Sequence, residues 1–303
     1  MLRSARRLSV LAAIALGGCS DAVAAMGEAP EDEPATSTES LFFDGFESGT
    51  KTSTNAEGFR WVRSNRTSVV TNTASVWNDN GQINNPKPPE KDWTAFSGEH
   101  SLRFRFPGGS NSYSEQRFDL GQAHREIWIR YSLRVPTNFT HRFTGGPNNS
   151  KFFAIWMDAY QAEGNGATVT WEFWPGADRS GGSEMAYNVA PGGRTASGGQ
   201  LMHNPFIRVP EDRGRWMHVV LHVVAATSQT SNDGLIETFV RWDGESGFRQ
   251  LHSDSRADIG PASTGPQGWK AGYVMGWSNP GYDEETEWLM DDFTVSTTNL
   301  LGN

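Results

Sequence analysis

Short runs in which apolar and polar residues alternate constrain the fold of this chain most strongly. The run SLRFRF places Leu102, Phe104 and Phe106 on one side of an extended backbone and polar residues on the other. Because successive side chains of a β-strand point to opposite faces, this period of two predicts strands with one apolar face. Similar runs span residues 126–135, 151–160, 168–174 and 215–224.

The chain is also rich in turn and strand residues, with 33 glycines and an aromatic content of 12%. Alternating runs separated by turn residues, without a helical stripe, are typical of stacked antiparallel sheets. The sequence therefore predicts an all-β fold, a two-sheet antiparallel β-sandwich of the jelly-roll type. We expect a single domain over residues 41–303, since no second linker or internal repeat follows residue 41.

The N-terminus has the pattern of a secretory signal. Residues 1–18 combine a basic start with a short apolar run, and the LGGC ending is typical of bacterial lipoproteins whose Cys19 is lipidated. The alternative is an ordinary signal that is cleaved after the small residues of DAVAA. Residues 19–40 are rich in Pro, Ala, acid and Ser/Thr, and they predict a flexible tether. We therefore expect a protein of the bacterial cell envelope, anchored to the outer membrane through its lipid only.

Charge and cysteine content exclude several classes of function. The net charge of −9 disfavours nucleic acid as a partner, because phosphate binding needs a cationic surface. A single cysteine excludes an internal disulfide and a zinc site built on cysteines.

The polar faces of the predicted strands carry arginines and aromatic rings. Arginine matches carboxylate or sulfate groups, and rings stack on the apolar faces of sugars. This combination predicts a groove for an acidic polysaccharide, and the alternative is a solvated convex face with scattered charges. The residues that we predict to bind the substrate are Arg103, Arg105, Arg130, Arg134, Trp128, Trp156 and Trp174.

Several segments resemble the concanavalin A-like jelly rolls of bacterial polysaccharide lyases, in particular the heparin lyase-like and the alginate or glucuronan lyase-like groups. They include DGFESG, SGEHSLRFRF, IWIRYSLRVPTNF, NNSKFFAIW and the closing WLMDDFTV. The resemblance covers about residues 41–297. It implies a polysaccharide lying across the concave sheet and cleavage by β-elimination at uronates, in which a cation neutralises the carboxylate while a base and an acid move protons.

The resemblance also implies candidate catalytic residues. Arg103, Arg117 or Arg130 would neutralise the carboxylate. The base would be His218 or His222, and the acid would be Tyr160, Tyr273 or Tyr282. The segment SEQRF matches the Arg-x-Glu-x-Arg strand of the alginate lyase-like group only in part, while AIWMD and AGYVMGW replace its Gln-x-His and Tyr-Phe-Lys strands. These departures favour the alternative hypothesis of a non-catalytic carbohydrate-binding or adhesion module. A third hypothesis is an envelope lipoprotein that uses the sheet for protein contacts.

Two acidic pairs lie near the ends of the predicted domain. Asp44 and Glu47 belong to its first strand and turn, and Asp291 and Asp292 belong to its last strand. The first and last strands of such sandwiches are commonly neighbours, and oxygen ligands from both suit Ca²⁺. We therefore expect a structural Ca²⁺ site there, or else plain charges at the strand edges.

Overall fold

The computed structural model describes residues 40–81, 85–110, 112–161, 165–190 and 203–302. Within these residues the chain forms seventeen strands and no helix, so no helix could cross a membrane there. The strands are β1 (Phe42–Asp44), β2 (Arg60–Asn65), β3 (Thr67–Val70), β4 (Ala74–Asn78), β5 (Asn85–Pro86), β6 (Ser101–Phe106), β7 (Ser112–His124), β8 (Glu126–Arg134), β9 (Ser150–Trp156), β10 (Thr168–Pro175), β11 (Ser183–Ala190), β12 (Asn204–Ile207), β13 (Trp216–Val224), β14 (Gly234–Trp242), β15 (Arg249–Ala257), β16 (Trp269–Ser278) and β17 (Thr286–Ser296).

The strands form two antiparallel sheets. The ten-stranded sheet has the order β15-β14-β13-β8-β17-β6-β3-β4-β5, and β1 pairs with β17. The seven-stranded sheet has the order β12-β11-β10-β9-β16-β7-β2. The predicted all-β, two-sheet antiparallel sandwich is confirmed.

The first and last strands are neighbours, as the sequence predicts. Phe42 of β1 lies opposite Val295 of β17, and Asp44 lies opposite Phe293. The first and last strands of the sandwich thus lie side by side in the ten-stranded sheet.

The apolar faces of both sheets pack against each other to form the core. Leu102, Phe104 and Phe106 are buried there, and so are the apolar residues that alternate along β8, β10 and β13. Buried polar contacts also join the two sheets: Trp171 of β10 donates its indole N–H to the Thr238 hydroxyl of β14 at 2.7 Å, and Tyr187 of β11 donates to Asp254 of β15 at 3.1 Å. The period of two therefore predicts correctly which side chains point inward.

A local irregularity in β16 determines what this strand presents to solvent. The pairing of β16 with β9 shifts register between Val274 and Ser278. Within the shift Met275 has a φ of 62° and packs into the core, whereas Trp277 is 49% exposed. Because bulges re-aim side chains, this one gives the outer face of the seven-stranded sheet an exposed ring.

Contacts along the chain separate residues 1–37 from residues 38–303, and every described residue belongs to the second unit. The predicted signal peptide and Cys19 lie outside the described residues.

Candidate functional site

The predicted site residues do not share one face. Two of the predicted catalytic residues and five of the predicted substrate-binding residues lie on the outer face of the ten-stranded sheet. Others lie on the outer face of the seven-stranded sheet, and Tyr282 is in the core. The expectation of a single groove lined by all of these residues is wrong, because the strands that carry them belong to different sheets. The residues on the ten-stranded outer face are Arg103, Arg105, Arg130, Arg134, Trp128, His218 and His222.

Ion pairs hold three of the four arginines on the ten-stranded outer face. Arg103 pairs with Glu287 at 3.3 Å, and its guanidinium lies 4.5 Å from the centre of the Trp93 ring. Arg105 bonds Glu285 at 2.7 Å, and Arg134 pairs with Asp92. A cation that is already paired and partly desolvated contributes less to binding an anion, since the existing pair must first be broken.

Segments outside the sheet cover much of the same face. Phe96, which precedes β6, packs on Trp216 and on the His218 ring at centroid distances of 5.6 and 4.9 Å. At the other end, Leu300 of the C-terminal segment packs on Trp128. These contacts leave the predicted rings and imidazoles buried rather than open to a polymer.

Both predicted histidine bases are therefore enclosed. His218 bonds the Ser132 hydroxyl at 3.1 Å, and burial lowers its pKa to about 4. The His222 ring stacks on Trp128 at 3.7 Å, and its two nitrogens lie 2.9 Å from Glu237 and 3.0 Å from Glu126. Because both histidines are buried and contact other protein side chains, we assign them a structural role in the ten-stranded sheet.

Tyr282 does not reach either outer face. It is 4% exposed, packs on the Phe106 ring and accepts a hydrogen bond from the Trp288 indole at 3.4 Å. Burial raises the pKa of its hydroxyl to about 12. Tyr282 lies in the main core between the two sheets, where a polymer on either outer face cannot reach it, so this position contradicts the predicted role.

The seven-stranded outer face brings the remaining candidates together around Tyr273 of β16. Its hydroxyl lies 2.9 Å from the hydroxyl of Tyr160, which follows β9. Arg117 is opposite Tyr273 in register, and its guanidinium lies 6.0 Å from the Tyr273 ring and 5.7 Å from the Trp156 ring. Burial raises the pKa of Tyr273 well above its ordinary value, so this hydroxyl stays protonated at neutral pH.

Arg117 is held in place by a carboxylate on its own strand. Its Nε donates to Glu115 at 2.6 Å, and Glu115 is almost fully buried. Two residues apart on β7, both side chains project to the same face. This charge-assisted hydrogen bond fixes the guanidinium beside the tyrosine pair.

A second polar cluster adjoins the tyrosines, and none of its members is among the site residues predicted from the sequence. Lys151 of β9 pairs with Glu172 of β10, whose other oxygen accepts from Asn149 at 3.0 Å. Asn188 of β11 also donates to Glu172, at 3.3 Å. The alternation in TVTWEFW already puts Glu172 on the outward side, but its partners come from two separate segments, residues 149–151 and β11.

Gly276 leaves space between these two clusters. Its φ is 148°, and a Cβ built on it would lie 3.0 Å from the Lys151 Cβ and 3.5 Å from the Tyr273 ring. Any side chain at this position would be strained and would crowd both residues. The glycine therefore keeps the space between the lysine and the tyrosine open.

An aromatic platform borders the tyrosine pair, and neither of its two rings is among the site residues predicted from the sequence. Trp277 of β16 stacks on Tyr113 of β7 with a centroid distance of 4.7 Å and an interplanar angle of 22°. About half of the Trp277 side chain faces solvent. The bulge in β16, which the sequence pattern does not reveal, directs this ring outward.

The four acidic residues predicted to bind Ca²⁺ have other partners. Asp44 accepts hydrogen bonds from the Phe46 amide and the Trp61 indole, and Glu47 accepts from the backbone of residues 99 and 100. Asp291 accepts from the amides of Phe96 and Ser97, while Asp292 accepts from the Ser97 hydroxyl.

Burial raises the pKa of Asp291 to about 7. In the part of the chain that the structure describes, no three acidic, histidine or cysteine side chains form a metal-binding group. The calcium site stays a prediction.

Comparisons with known proteins show what this fold is similar to. No family model matches the sequence, and no curated protein matches it. The solved structure of the alginate lyase Aly36B matches with a TM-score of 0.50 at 12% identity, over 76% of this chain and 96% of that chain. An alginate lyase of the PL-14 group from Aplysia kurodai gives a TM-score of 0.48 at 11% identity, over 67% and 85%.

The exoplasmic/lumenal domain of VIP36, in a form bound to Ca²⁺ and Man3GlcNAc, gives 0.40 at 8% identity, over 78% and 85%. At these identities the likeness shows the jelly-roll fold alone.

Proposed function

We propose that the outer face of the seven-stranded sheet binds an acidic polysaccharide and cleaves it by β-elimination. The observation that carries this proposal is the pair of tyrosine hydroxyls, 2.9 Å apart, beside the Arg117 guanidinium on the outer face of the seven-stranded sheet. Tyr160 and Arg117 are partly exposed there, and Tyr273 is 2% exposed beneath them. Proton donors, a cation and an aromatic platform are the groups that this chemistry needs.

Binding would use the platform and the two cations. The exposed face of Trp277 suits the apolar face of a pyranose ring. Arg117 and Lys151 lie on either side of Tyr273 and would contact the carboxylate of the uronate. Arginine forms paired hydrogen bonds with a carboxylate, which would also orient the sugar.

The elimination itself needs two proton transfers and the shift of two electron pairs. The proton on C5 of the uronate leaves, its electron pair forms the C4=C5 double bond, and the bond from C4 to the glycosidic oxygen breaks. The leaving oxygen then takes a proton. A nearby cation promotes the first step, because it stabilises the negative charge that develops on the carboxylate.

The two tyrosines can carry both proton transfers without either one becoming charged. Tyr160 receives the C5 proton while it passes its own proton to Tyr273, and Tyr273 gives its proton to the leaving oxygen. Such a relay suits the high pKa of Tyr273, since a protonated phenol is the form required of a donor.

The proposal is tested by incubating the protein with alginate, glucuronan and heparin-type chains and following the ultraviolet absorbance of unsaturated uronates. We expect a rise with at least one of these polymers and a rise about 100-fold slower or more with the Tyr273→Phe variant. No rise with any acidic polymer would contradict the proposed cleavage.

A non-catalytic carbohydrate-binding module is the second candidate. It is favoured by the ion pairs of the site itself, because Arg117 is bonded to Glu115 and Lys151 to Glu172. Under this alternative, the protein would be retained on a column carrying an acidic glycan while the glycan stayed intact.

We also propose that the protein acts at the bacterial cell envelope as a lipoprotein. The basic start and the LGGC ending that precede residue 20 support this location. Mass spectrometry of the protein from membranes would show a lipid on Cys19, and a Cys19→Ser variant would be released from the membrane fraction.

A further inference from the structure

A recess borders the proposed site on the side of β10 and β11. We call it the Trp174 recess; it has a volume of about 290 Å³. Trp174 is two residues beyond Glu172 on the same strand and faces the same way. Asn148, which precedes Asn149 in sequence, also lines the recess, so the recess lies next to the polar cluster around Glu172. The residues that matter for its chemistry are Phe143, Asn148, Trp174, Arg179, Glu184 and His203.

Arg179 differs from the other cations near the site. Its guanidinium lies 3.8 Å from the centre of the Phe143 ring, and among the described residues it forms no ion pair. Arg117 and Lys151, by contrast, each hold a carboxylate. Arg179 is exposed and therefore keeps its hydrogen-bonding edge available for an anion from solution.

Aromatic surface lies beside this arginine. Phe143 is 52% exposed although it is a large apolar residue. The Trp174 ring packs edge-on against His203 at 5.5 Å, and no acceptor for its buried indole N–H appears among the described residues. Rings together with an unengaged hydrogen-bond donor suit a sugar unit, which has apolar faces and oxygen acceptors.

The acidic groups of the recess are already engaged. Glu184 accepts from the Ala177 amide at 3.3 Å and lies 3.2 Å from the His203 ring nitrogen. Asp178, next to Arg179 in sequence, accepts from the Ser180 amide at 3.0 Å. These contacts direct both carboxylates to protein groups and leave Arg179 as the charged group that is free to contact a ligand.

We infer that the Trp174 recess binds a second acidic sugar unit of the polymer that lies over Tyr273. Arg179 would contact its carboxylate or sulfate, and Phe143 and Trp174 would contact its ring. This inference rests on the proposed function, because it assumes that an acidic chain occupies the seven-stranded outer face. Only an acidic chain long enough to reach from Tyr273 to the recess would make these additional contacts, so the recess would favour long chains over short ones.

Isothermal titration of the full chain with acidic uronate oligosaccharides of increasing length tests this inference. The wild-type affinity should rise with length once a chain reaches from Tyr273 to the recess. Arg179→Gln should bind long chains about ten-fold more weakly than the wild type and should bind the shortest binding chain equally well. Phe143→Ala should show the same length dependence.

The matched control is Arg256→Gln, which removes an exposed arginine from the edge strand β15 of the other sheet and should leave affinity unchanged at every length. If Arg179→Gln and Phe143→Ala match the wild type with long chains, the recess is not a binding position while the proposed function stands. If the wild type binds no acidic chain, both the recess and the proposed function are overturned.

Discussion

The outer faces of the two sheets contain similar residue types, and both hold cations that are paired with acids, but they differ in what covers them. On the ten-stranded face, Phe96 and Leu300 cover the rings. On the seven-stranded face, a tyrosine pair and Arg117 lie beside the half-exposed Trp277. The comparison shows that arginines and rings on an outward face do not define a binding surface. What packs over that face decides whether it can bind a polymer.

The first test of this comparison has the largest expected effect. Tyr273→Phe should lower the rate of polysaccharide cleavage about 100-fold or more, because it removes a proton donor whose contribution is typically 10²- to 10⁴-fold. His218→Asn, on the covered face, should leave the rate within about two-fold. The initial rise in absorbance of unsaturated uronate measures both. Equal losses in the two variants would contradict the separation of the faces.

The second test concerns stability instead of activity. Arg103→Met should lower the free energy of unfolding by about 2 to 3 kcal/mol, since it breaks a largely buried pair and leaves Glu287 with Lys91 alone as a cationic partner. Chemical denaturation measures this loss. The folded variant should cleave the polymer at the wild-type rate. A loss of cleavage at unchanged stability would indicate that Arg103 binds the substrate.

The third test uses a cation that neither face exposes. Lys51 is 5% exposed, its amine donates to the hydroxyls of Ser64 and Thr67, and burial lowers its pKa to about 7. Between pH 7 and the ordinary lysine pKa the unfolded chain binds more protons than the folded protein, so stability should rise with pH. The slope should approach about 1.4 kcal/mol per pH unit at most.

Lys51→Met removes the group responsible for this dependence. Its free energy of unfolding should change less between pH 7 and pH 9 than that of the wild type, in denaturation curves recorded at both values. Identical slopes for the two proteins would show that the buried amine is not the source.

The fourth test has the smallest expected effect. Trp277→Ala should weaken the binding of an acidic oligosaccharide about five-fold, because it removes one stacking surface and leaves the polar groups in place. Trp216→Ala, which alters a half-buried ring under Phe96 on the other face, should leave affinity unchanged in the same titration. Weaker binding by Trp216→Ala with unchanged binding by Trp277→Ala would indicate that the oligosaccharide binds the ten-stranded face instead.

Much of the sandwich could be predicted from the sequence, because the period of two is a local property of each strand. The inward side of β6 and β8 follows from alternation, and so does the outward position of Glu172. The contact between β1 and β17 follows from the usual closure of such folds.

The site could be predicted only in part. Tyr160, Tyr273 and Arg117 have the right residue types, but alternation does not say which sheet a strand joins. The cover over His218 comes from Phe96, more than a hundred residues away in sequence, and the outward turn of Trp277 comes from a bulge. Long-range packing and irregular pairing leave little trace in a local pattern.

A crystal structure of the protein with a bound acidic uronate oligosaccharide would show directly which outer face binds the polymer. We expect a sugar carboxylate beside Arg117, the glycosidic oxygen within hydrogen-bonding distance of the Tyr273 hydroxyl, and a pyranose ring on Trp277. An oligosaccharide bound instead over Arg130 and His222 on the ten-stranded sheet would contradict this expectation.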